Sequence, residues 1–272
     1  MKQFVLGGEP DGKGRVVLRD GDYRYLVRVR RLAPGEYFPA LLPDGSKASV
    51  RVCSVDGSTL VGKVIRPGDP EATPKTAGAV TLPPIILFQA IPKGEKMDTI
   101  VRQAAEGGLD ELVPFESDFS DVKIGGDGGH KFSRWQRIIR EARQQSGSTT
   151  ATEIRRPVAR DGLFDCWERI REERPGAIGL LFHHLPVENV RIEGTRAGNA
   201  SLHGYLGADP EAVVLAIGPE GGFSPAEVGR FLSVGFRPFT IGDTVLRTDT
   251  AALYAQAAIR ILLLERDSWK IR

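Results

Sequence analysis

Apolar and polar positions change rhythm once along the chain. Over residues 1–70 the apolar residues come in short, roughly alternating runs with turn residues between them. Residues 15–20 (RVVLRD), 25–32 (YLVRVRRL), 37–43 (YFPALLP), 47–55 (KASVRVCSV) and 59–65 (TLVGKVI) read as β-strands. Asp44-Gly45 and Asp56-Gly57 are hairpin dipeptides, because glycine takes up the positive φ that tight turns require. A small β-barrel over residues 1–72 is the expected result. The stretch RPGDPEATPKTAG then interrupts the pattern with proline, glycine and charge, which predicts a linker over residues 73–81.

From residue 82 the period alternates between strand and helix. PIILFQAI (84–91) has the continuous apolar character of a strand covered on both faces. In the next segment Met97, Ile100, Val101, Ala104 and Ala105 fall on one helical face, and Gly107-Gly108 supplies a stop. ELVPF (111–115) predicts another strand. SRWQRIIREARQQSG (133–147) predicts a helix with Trp135, Ile138, Ile139 and Ala142 inward, a capping box of Ser133 with Gln136, and a solvent-side band of Arg134, Arg137, Arg140 and Arg143. EIRRPV, AIGLLF, AVVLAI and FRPFTI give four further strands with helices around them. Such alternation predicts an α/β domain with a mostly parallel sheet over residues 82–272.

Composition narrows the possibilities without choosing among them. At 272 residues and 41% hydrophobic content the chain can build one large core or two ordinary ones. No apolar run reaches the ~18 residues of a membrane span, and the start of the chain has no apolar secretory core, so a cytoplasmic protein without a membrane partner is expected. Cys53 and Cys166 are far apart, which argues against zinc and against a disulfide framework. His183 and His184 are adjacent and therefore point to opposite sides of an extended chain, so no metal site is expected. The net charge of +2 is distributed unevenly: residues 1–70 carry +4 and the remainder −2. Arg24, Arg28, Arg30 and Arg31 concentrate the excess and are candidates for gripping a phosphate backbone, with a solvated strand face as the alternative.

Two glycine-bearing segments in the last quarter are the candidate chemistry. In the first, the strand AVVLAI runs into Gly218-Pro219-Glu220-Gly221-Gly222, and a helix opens with Ser224 as N-cap, Pro225 in its first turn and Glu227 completing a capping box. A glycine loop at the carboxyl end of such a strand is where open α/β sheets bind ligands, although an ordinary strand-to-helix turn has the same appearance. In the second, a strand ends at Ile241-Gly242, and Arg247-Thr248-Asp249-Thr250 precedes a helix that Thr248 or Thr250 could cap. From Ala251 to Leu264 that helix is apolar almost all round, which suits either a subunit interface or a deep core. The G-x-G-x-x-G and P-loop patterns are missing, so nucleotide phosphate sites of those kinds are unsupported.

These segments, in this order, resemble the paired signature of the RsmE-type 16S ribosomal RNA (uracil-N3) methyltransferases, a family of the SPOUT superfamily. Gly218–Phe223 matches its GPEGG form, and Ile241-Gly242 with Leu246-Arg247-Thr248-Asp249-Thr250-Ala251 matches its LGxRILRTETA form, with Thr244 where the family has a basic residue. Ala90–Gly94 with Lys96-Met97, Arg134–Ala142 with Gln145-Ser146-Gly147, and Tyr25–Leu32 resemble its upstream segments, with Tyr25 in place of a histidine; residues 116–120 lack its usual basic residue. The resemblance implies an N-terminal PUA-like β-barrel that binds RNA and a C-terminal α/β trefoil-knot methyltransferase domain. It also implies a homodimer acting on 16S rRNA within the small ribosomal subunit.

The implied cofactor is S-adenosyl-L-methionine. Ile217, Gly218, Pro219, Glu220, Gly221, Gly222, Ile241, Gly242, Val245, Leu246, Thr248, Thr250 and Ala251 are the expected cofactor-binding residues. Arg247 is expected to favour the uracil N3 anion, Glu220 (or, less well placed, Asp249) to assist as base, and Arg24, Arg28, Arg30, Arg31, Arg134 and Arg137 to hold RNA. Another SPOUT RNA methyltransferase, acting on a ribose 2′-oxygen or a different RNA, and a non-catalytic RNA-binding or ribosome-assembly protein are the alternatives that the sequence leaves open.

Overall fold

The computed structural model describes residues 4–66, 69, 82–120, 128–148, 150–183, 191–192, 195–196, 201–207, 209–240 and 244–265. Its contacts divide the chain into two compact units, Met1–Ala79 together with Arg140–Ala151, and Val80–Ile139 together with Thr152–Arg272.

The first unit contains β1 (Phe4–Val5), β2 (Arg15–Leu18), a short α1 (Asp20–Tyr23) running into a π-helical turn (Arg24–Val29), β3 (Tyr37–Leu41), β4 (Lys47–Asp56) and β5 (Thr59–Ile65). The strands form one sheet in the order β1-β3-β4-β5-β2, antiparallel except for the β1–β3 pair. Both edge strands send side chains into the same core, Phe4 from β1 and Val16 and Leu18 from β2, so the sheet curls around a single centre. Gly62 lets that centre close: a Cβ there would lie 2.4 Å from Val50 Cγ1. The two hairpin dipeptides turn as expected, with Gly45 at φ 84°, Gly57 at φ 29°, and Asp44 Oδ1 accepting from the Ser46 N–H at 2.8 Å.

One expected strand is corrected. Residues 25–32 do not extend; the chain is helical through Val29. Tyr23 and Leu26, three apart, are its buried positions, and the neighbours of Leu26 are only half-buried. The apparent alternation of YLVRVRRL is therefore one inward stripe of a helical turn. Arg24, Arg28 and Arg31 are exposed on and just beyond this turn, and Arg30 is half-buried with Nη1 enclosed and unpartnered.

The second unit adds β6 (Ile85–Ala90), α2 (Lys96–Glu106), β7 (Glu111–Phe115), α3 (Gly128–Ser146, of which the residues from Arg140 on belong to the first unit), β8 (Glu153–Ile154), α4 (Arg160–Glu173), β9 (Ala177–Phe182), a small β10–β11 pair (Arg191–Ile192, Thr195–Arg196), α5 (Leu202–Leu206), β12 (Ala212–Ile217), α6 (Pro225–Ser233), β13 (Arg237–Phe239) and α7 (Thr248–Glu265). Six strands make a wholly parallel sheet in the order β13-β9-β12-β6-β7-β8. The central strands β6 and β12 are buried at every position, as the apolar run of β12 and that of β6, broken only by Gln89, require. On one face Ile86, Phe88, Ala90, Val113, Phe115, Val214 and Ala216 pack with Leu163, Phe164 and Trp167 of α4 and Phe231 of α6. Helix α7 contacts β6, β12, α2 and α5. Helix α2 buries Met97, Ile100, Val101, Ala104 and Ala105, the five positions its spacing selects.

Helix α3 departs from expectation in two ways. It begins at Gly128, so Ser133 lies inside it and no Ser133–Gln136 capping box forms. The arginine band also does not stay on one side. A three-residue step advances 300° on a helix of 3.6 residues per turn, so nine residues rotate to the opposite face. Arg134 is accordingly exposed and Arg143 is 6% exposed, with Nε and Nη2 unpartnered and its pKa lowered by burial. Arg134 also ion-pairs with Asp98 and, at 3.7 Å, with Glu95.

Candidate active site

The C-terminal ends of β9, β12 and β13 and the first turn of α7 surround one cleft. About 650 Å³ of space lies between its walls, open solvent at its mouth included. The position follows from topology. Strand β12 feeds α6, on the face that carries α4, whereas its neighbour β6 feeds α2, which packs against α7. The cleft opens beyond the carboxyl ends of β12 and of β9 and β13 on its other side, the end of a parallel sheet at which ligands are held.

The glycine loop forms one wall. Gly222 N–H donates to Pro219 O at 2.9 Å and closes a turn in which Gly222 takes φ 70°. The turn folds back so tightly that a Cβ on Gly218 would lie 3.0 Å from the Gly222 carbonyl carbon. A Cβ on Gly221 would meet Phe119 Cβ at 3.1 Å, so Gly221 turns toward the loop after β7. Immediately downstream the expected capping box is present: Ser224 Oγ accepts from Glu227 N–H at 3.2 Å and Glu227 Oε2 from Ser224 N–H at 2.9 Å. Asp118 joins this cap by accepting from Ser224 Oγ at 2.6 Å.

Thr248 ties the two glycine-bearing segments together. Its hydroxyl donates to Gly218 O at 2.7 Å and accepts from Gln89 Nε2 at 3.1 Å; Gln89 Nε2 also donates to Ala90 O at 2.9 Å. Thr248 is 4% exposed and Gln89 0%. Thr248 is therefore a cross-brace between β12, β6 and α7, and not the helix cap expected of it; it is already the first residue of α7. Thr250 lies exposed and caps nothing either, since the Ala251 N–H is taken by Arg247 O at 2.7 Å.

Glu220 carries the main charge on the loop. Lys96 Nζ donates to Oε1 at 2.5 Å, and the Lys93 N–H reaches the two carboxylate oxygens at 3.2 and 3.3 Å. Burial alone would raise its pKa, but the Lys96 ammonium and the N–H donors of Glu220 and Lys93 outweigh that and hold it below the ordinary value. An ionised carboxylate bound in this way is a latch on the loop and a poor proton acceptor. Arg247, between two cleft-lining residues, is exposed and makes no ion pair or hydrogen bond through its guanidinium among the described residues.

Ile217, Gly218, Pro219, Glu220, Gly222, Val245, Leu246, Thr248 and Ala251 come together around the cleft. Gly221 and Thr250 do not line it, and Ile241 and Gly242 lie outside the described residues. Sequence reasoning missed Phe182, His183, Phe223, Phe239, Thr240 and Thr244. The first two could have been found as the carboxyl end of a strand neighbouring the glycine-loop strand. Gln89 was also missed, though one amide in an otherwise apolar buried strand requires a partner. The apolar walls with backbone groups of a glycine turn between them fit the adenosine and methionine parts of S-adenosylmethionine. Among the described residues no cluster of His, Cys, Asp or Glu could hold a metal ion, and no helix is long and apolar enough to cross a membrane.

Fold and cleft together define a methyltransferase of the RNA-modifying kind: the model of the RNA methyltransferase domain family matches residues 80–260, and the chain belongs to that family. Among its relatives is the ribosomal RNA small subunit methyltransferase E of Mycobacterium bovis, 29% identical over 97% of this chain and 93% of that protein. In structure it is similar to the ribosomal RNA small subunit methyltransferase E of Neisseria gonorrhoeae bound to S-adenosyl methionine, with TM-score 0.70 and 23% identity over 96% of this chain and 98% of that one. It is also similar to a probable rRNA-methyltransferase of Porphyromonas gingivalis, with TM-score 0.72 and 24% identity over 97% and 99% of the two chains.

Proposed function

We propose that the chain is an S-adenosylmethionine-dependent enzyme that methylates N3 of a uridine in 16S ribosomal RNA, the one conventionally numbered 1498. The observation that carries the reading is the convergence of the Gly218–Gly222 loop and the 244–251 segment on one cleft, braced by Thr248, with the exposed Arg247 between two of its lining residues. The reading takes with it a cytoplasmic enzyme, a PUA-like closure of the N-terminal sheet, and a trefoil knot in the second unit. It also takes a homodimer. Leu253, Tyr254, Ile261 and Leu264 form an exposed apolar stripe on α7, 41–57% accessible, where a subunit partner would pack.

S-adenosylmethionine, when bound, supplies a methyl group already activated on a sulfonium. The chain's task is alignment, and the turn at Gly218–Gly222 with Leu246 and Ala251 would hold the donor. Uracil N3 loses its proton first, and the N–CH₃ bond then forms from the N3 anion as the methyl's bond to sulfur breaks. The Arg247 guanidinium stabilises the N3 anion and the proton leaves to solvent. Glu220, expected from sequence as a base, instead keeps the loop in place through Lys96 and Lys93.

The test is transfer of labelled methyl to small-subunit RNA from cells lacking the protein, with mass spectrometry of the digested RNA. Methyl at uracil N3, with a rate that falls at least about 100-fold in Arg247→Ala while donor affinity is kept, is the expected result. Methyl on a ribose or in another RNA assigns a different target, and no donor binding by the folded protein removes the enzymatic reading.

A further inference from the structure

Strand register in the N-terminal unit aligns four side chains that lie far apart in sequence. Arg15 of β2 pairs with Lys63 of β5, Lys63 with Arg51 of β4, and Arg51 with Tyr37 of β3. Directly paired residues of antiparallel strands project on the same face. Their sequence neighbours Val16, Val64, Val50, Val52 and Phe38 are buried in the core, so this row is on the outward face.

Three cations in register, about 5 Å apart from strand to strand, repel one another and add nothing to folding. Arg15 and Arg51 make no ion pair among the described residues. The nearby carboxylates are hydrogen-bonded within turns, and Asp11 offsets part of the charge of Arg15 and Lys13. Asp11 Oδ1 accepts from the N–H groups of Lys13 at 2.9 Å and Arg15 at 2.7 Å, and Glu36 Oε2 accepts from Ala33 N–H at 2.8 Å. Lys63 also borders a surface concavity lined by Lys13 and Arg66 together with Asp11 and Asp69, so the concavity keeps a net positive charge of one. At the far end of the row Tyr37 leaves 52% of its surface to solvent.

A charge row of this kind becomes favourable when a polyanion lies along it. The three cations span about 10 Å, the reach of roughly two or three successive phosphates of one strand. An exposed aromatic ring beside them suits an unpaired base, because base-on-ring stacking and phosphate contacts together are how single strands are held. We infer that the Arg15–Lys63–Arg51–Tyr37 row is a contact surface for single-stranded RNA, the cations meeting its phosphates and Tyr37 stacking under an unpaired base. The inference rests on the reading that this chain acts on RNA, and it assigns RNA contact to a face other than the turn that carries Arg24 and Arg28.

The experiment measures anisotropy of a labelled single-stranded RNA oligomer and of its duplex form, from about 0.05 to 0.3 M salt, with the full-length chain. The double substitution Arg15→Gln/Arg51→Gln is expected to weaken single-strand binding about 10-fold at low salt and to reduce the slope of log affinity against log salt by about 1.4. Tyr37→Leu is expected to weaken it about 10-fold with the slope kept, and Tyr37→Phe to restore it. Arg15→Lys/Arg51→Lys disturbs the same surface while keeping its charge and should bind like the original. Wild-type affinity and slope in Arg15→Gln/Arg51→Gln overturn the inference. So does equal loss in the lysine double variant, or a loss found only in Arg24→Gln/Arg28→Gln. The underlying reading fails separately: a wild-type chain that transfers no methyl to 16S rRNA removes the enzyme, whereas a wild-type chain that does so while the row variants bind normally removes only this surface.

Discussion

Replacing Thr248 with valine keeps the shape of the side chain and deletes the hydroxyl that joins the two halves of the cleft. The Gly218 carbonyl loses a donor at 2.7 Å, and one N–H of Gln89, itself 0% exposed, loses its acceptor at 3.1 Å. A buried polar group left unpaired costs about 1–3 kcal/mol. Gly218 borders a cleft that water can enter, which puts its share at the low end, so the two losses together come to about 2–4 kcal/mol. For a unit of this size that lowers the melting temperature by about 5–10 °C. The glycine turn should also bind S-adenosylmethionine about 10-fold more weakly, because the brace that fixes the Gly218 carbonyl is gone. Differential scanning calorimetry and titration calorimetry of Thr248→Val and Thr248→Ser measure both effects. Serine keeps the hydroxyl and should retain most of the stability and affinity. A valine variant that melts with the original protein, or a serine variant that falls as far as valine, refutes the reasoning.

Other consequences are directly measurable. Glu220 has a folded-state pKa below its ordinary 4.5, so its latch stabilises the loop above that pH and is lost as the pH falls through the depressed folded value; Glu220→Gln should flatten the acid side of the melting-temperature profile below about pH 4.5 while costing less than about 1 kcal/mol at neutrality, as expected of a partly exposed pair. A profile unchanged by Glu220→Gln would show that the latch contributes nothing. Tyr254→Glu with Ile261→Glu places two charges on the exposed stripe of α7, and sedimentation should shift from dimer to monomer with the fold intact; a wild-type chain that sediments as a monomer at micromolar concentration ends the dimer proposal.

The pattern along the chain was sufficient where one local rule decided the outcome. The buried stripe of α2, the capping box at Ser224 and Glu227, the largely apolar strands β6 and β12 and the turn at Asp44-Gly45 each depend on residues within a few positions of one another, and each is in the structure as read. The reading failed where a short pattern had two geometric solutions. YLVRVRRL alternates well enough to pass for a strand, yet it is a helical turn with one inward stripe. Arginines every third residue look like a band until the helical twist carries Arg143 to the opposite, buried side.

What lies between distant segments was decided by tertiary structure. Nothing local distinguishes Thr248 as a cap from Thr248 as a brace, because the difference is made by Gln89, 159 residues away, and by a carbonyl 30 residues back. Glu220 could be read from sequence as a base; the approach of Lys96 makes it a latch. Arg15, Tyr37, Arg51 and Lys63 become neighbours only through strand register. Periodicity, capping and turn chemistry act over a few residues and are written in the order of the chain, whereas the partner that sets a side chain's hydrogen bonds or charge state is chosen by packing, which acts through space.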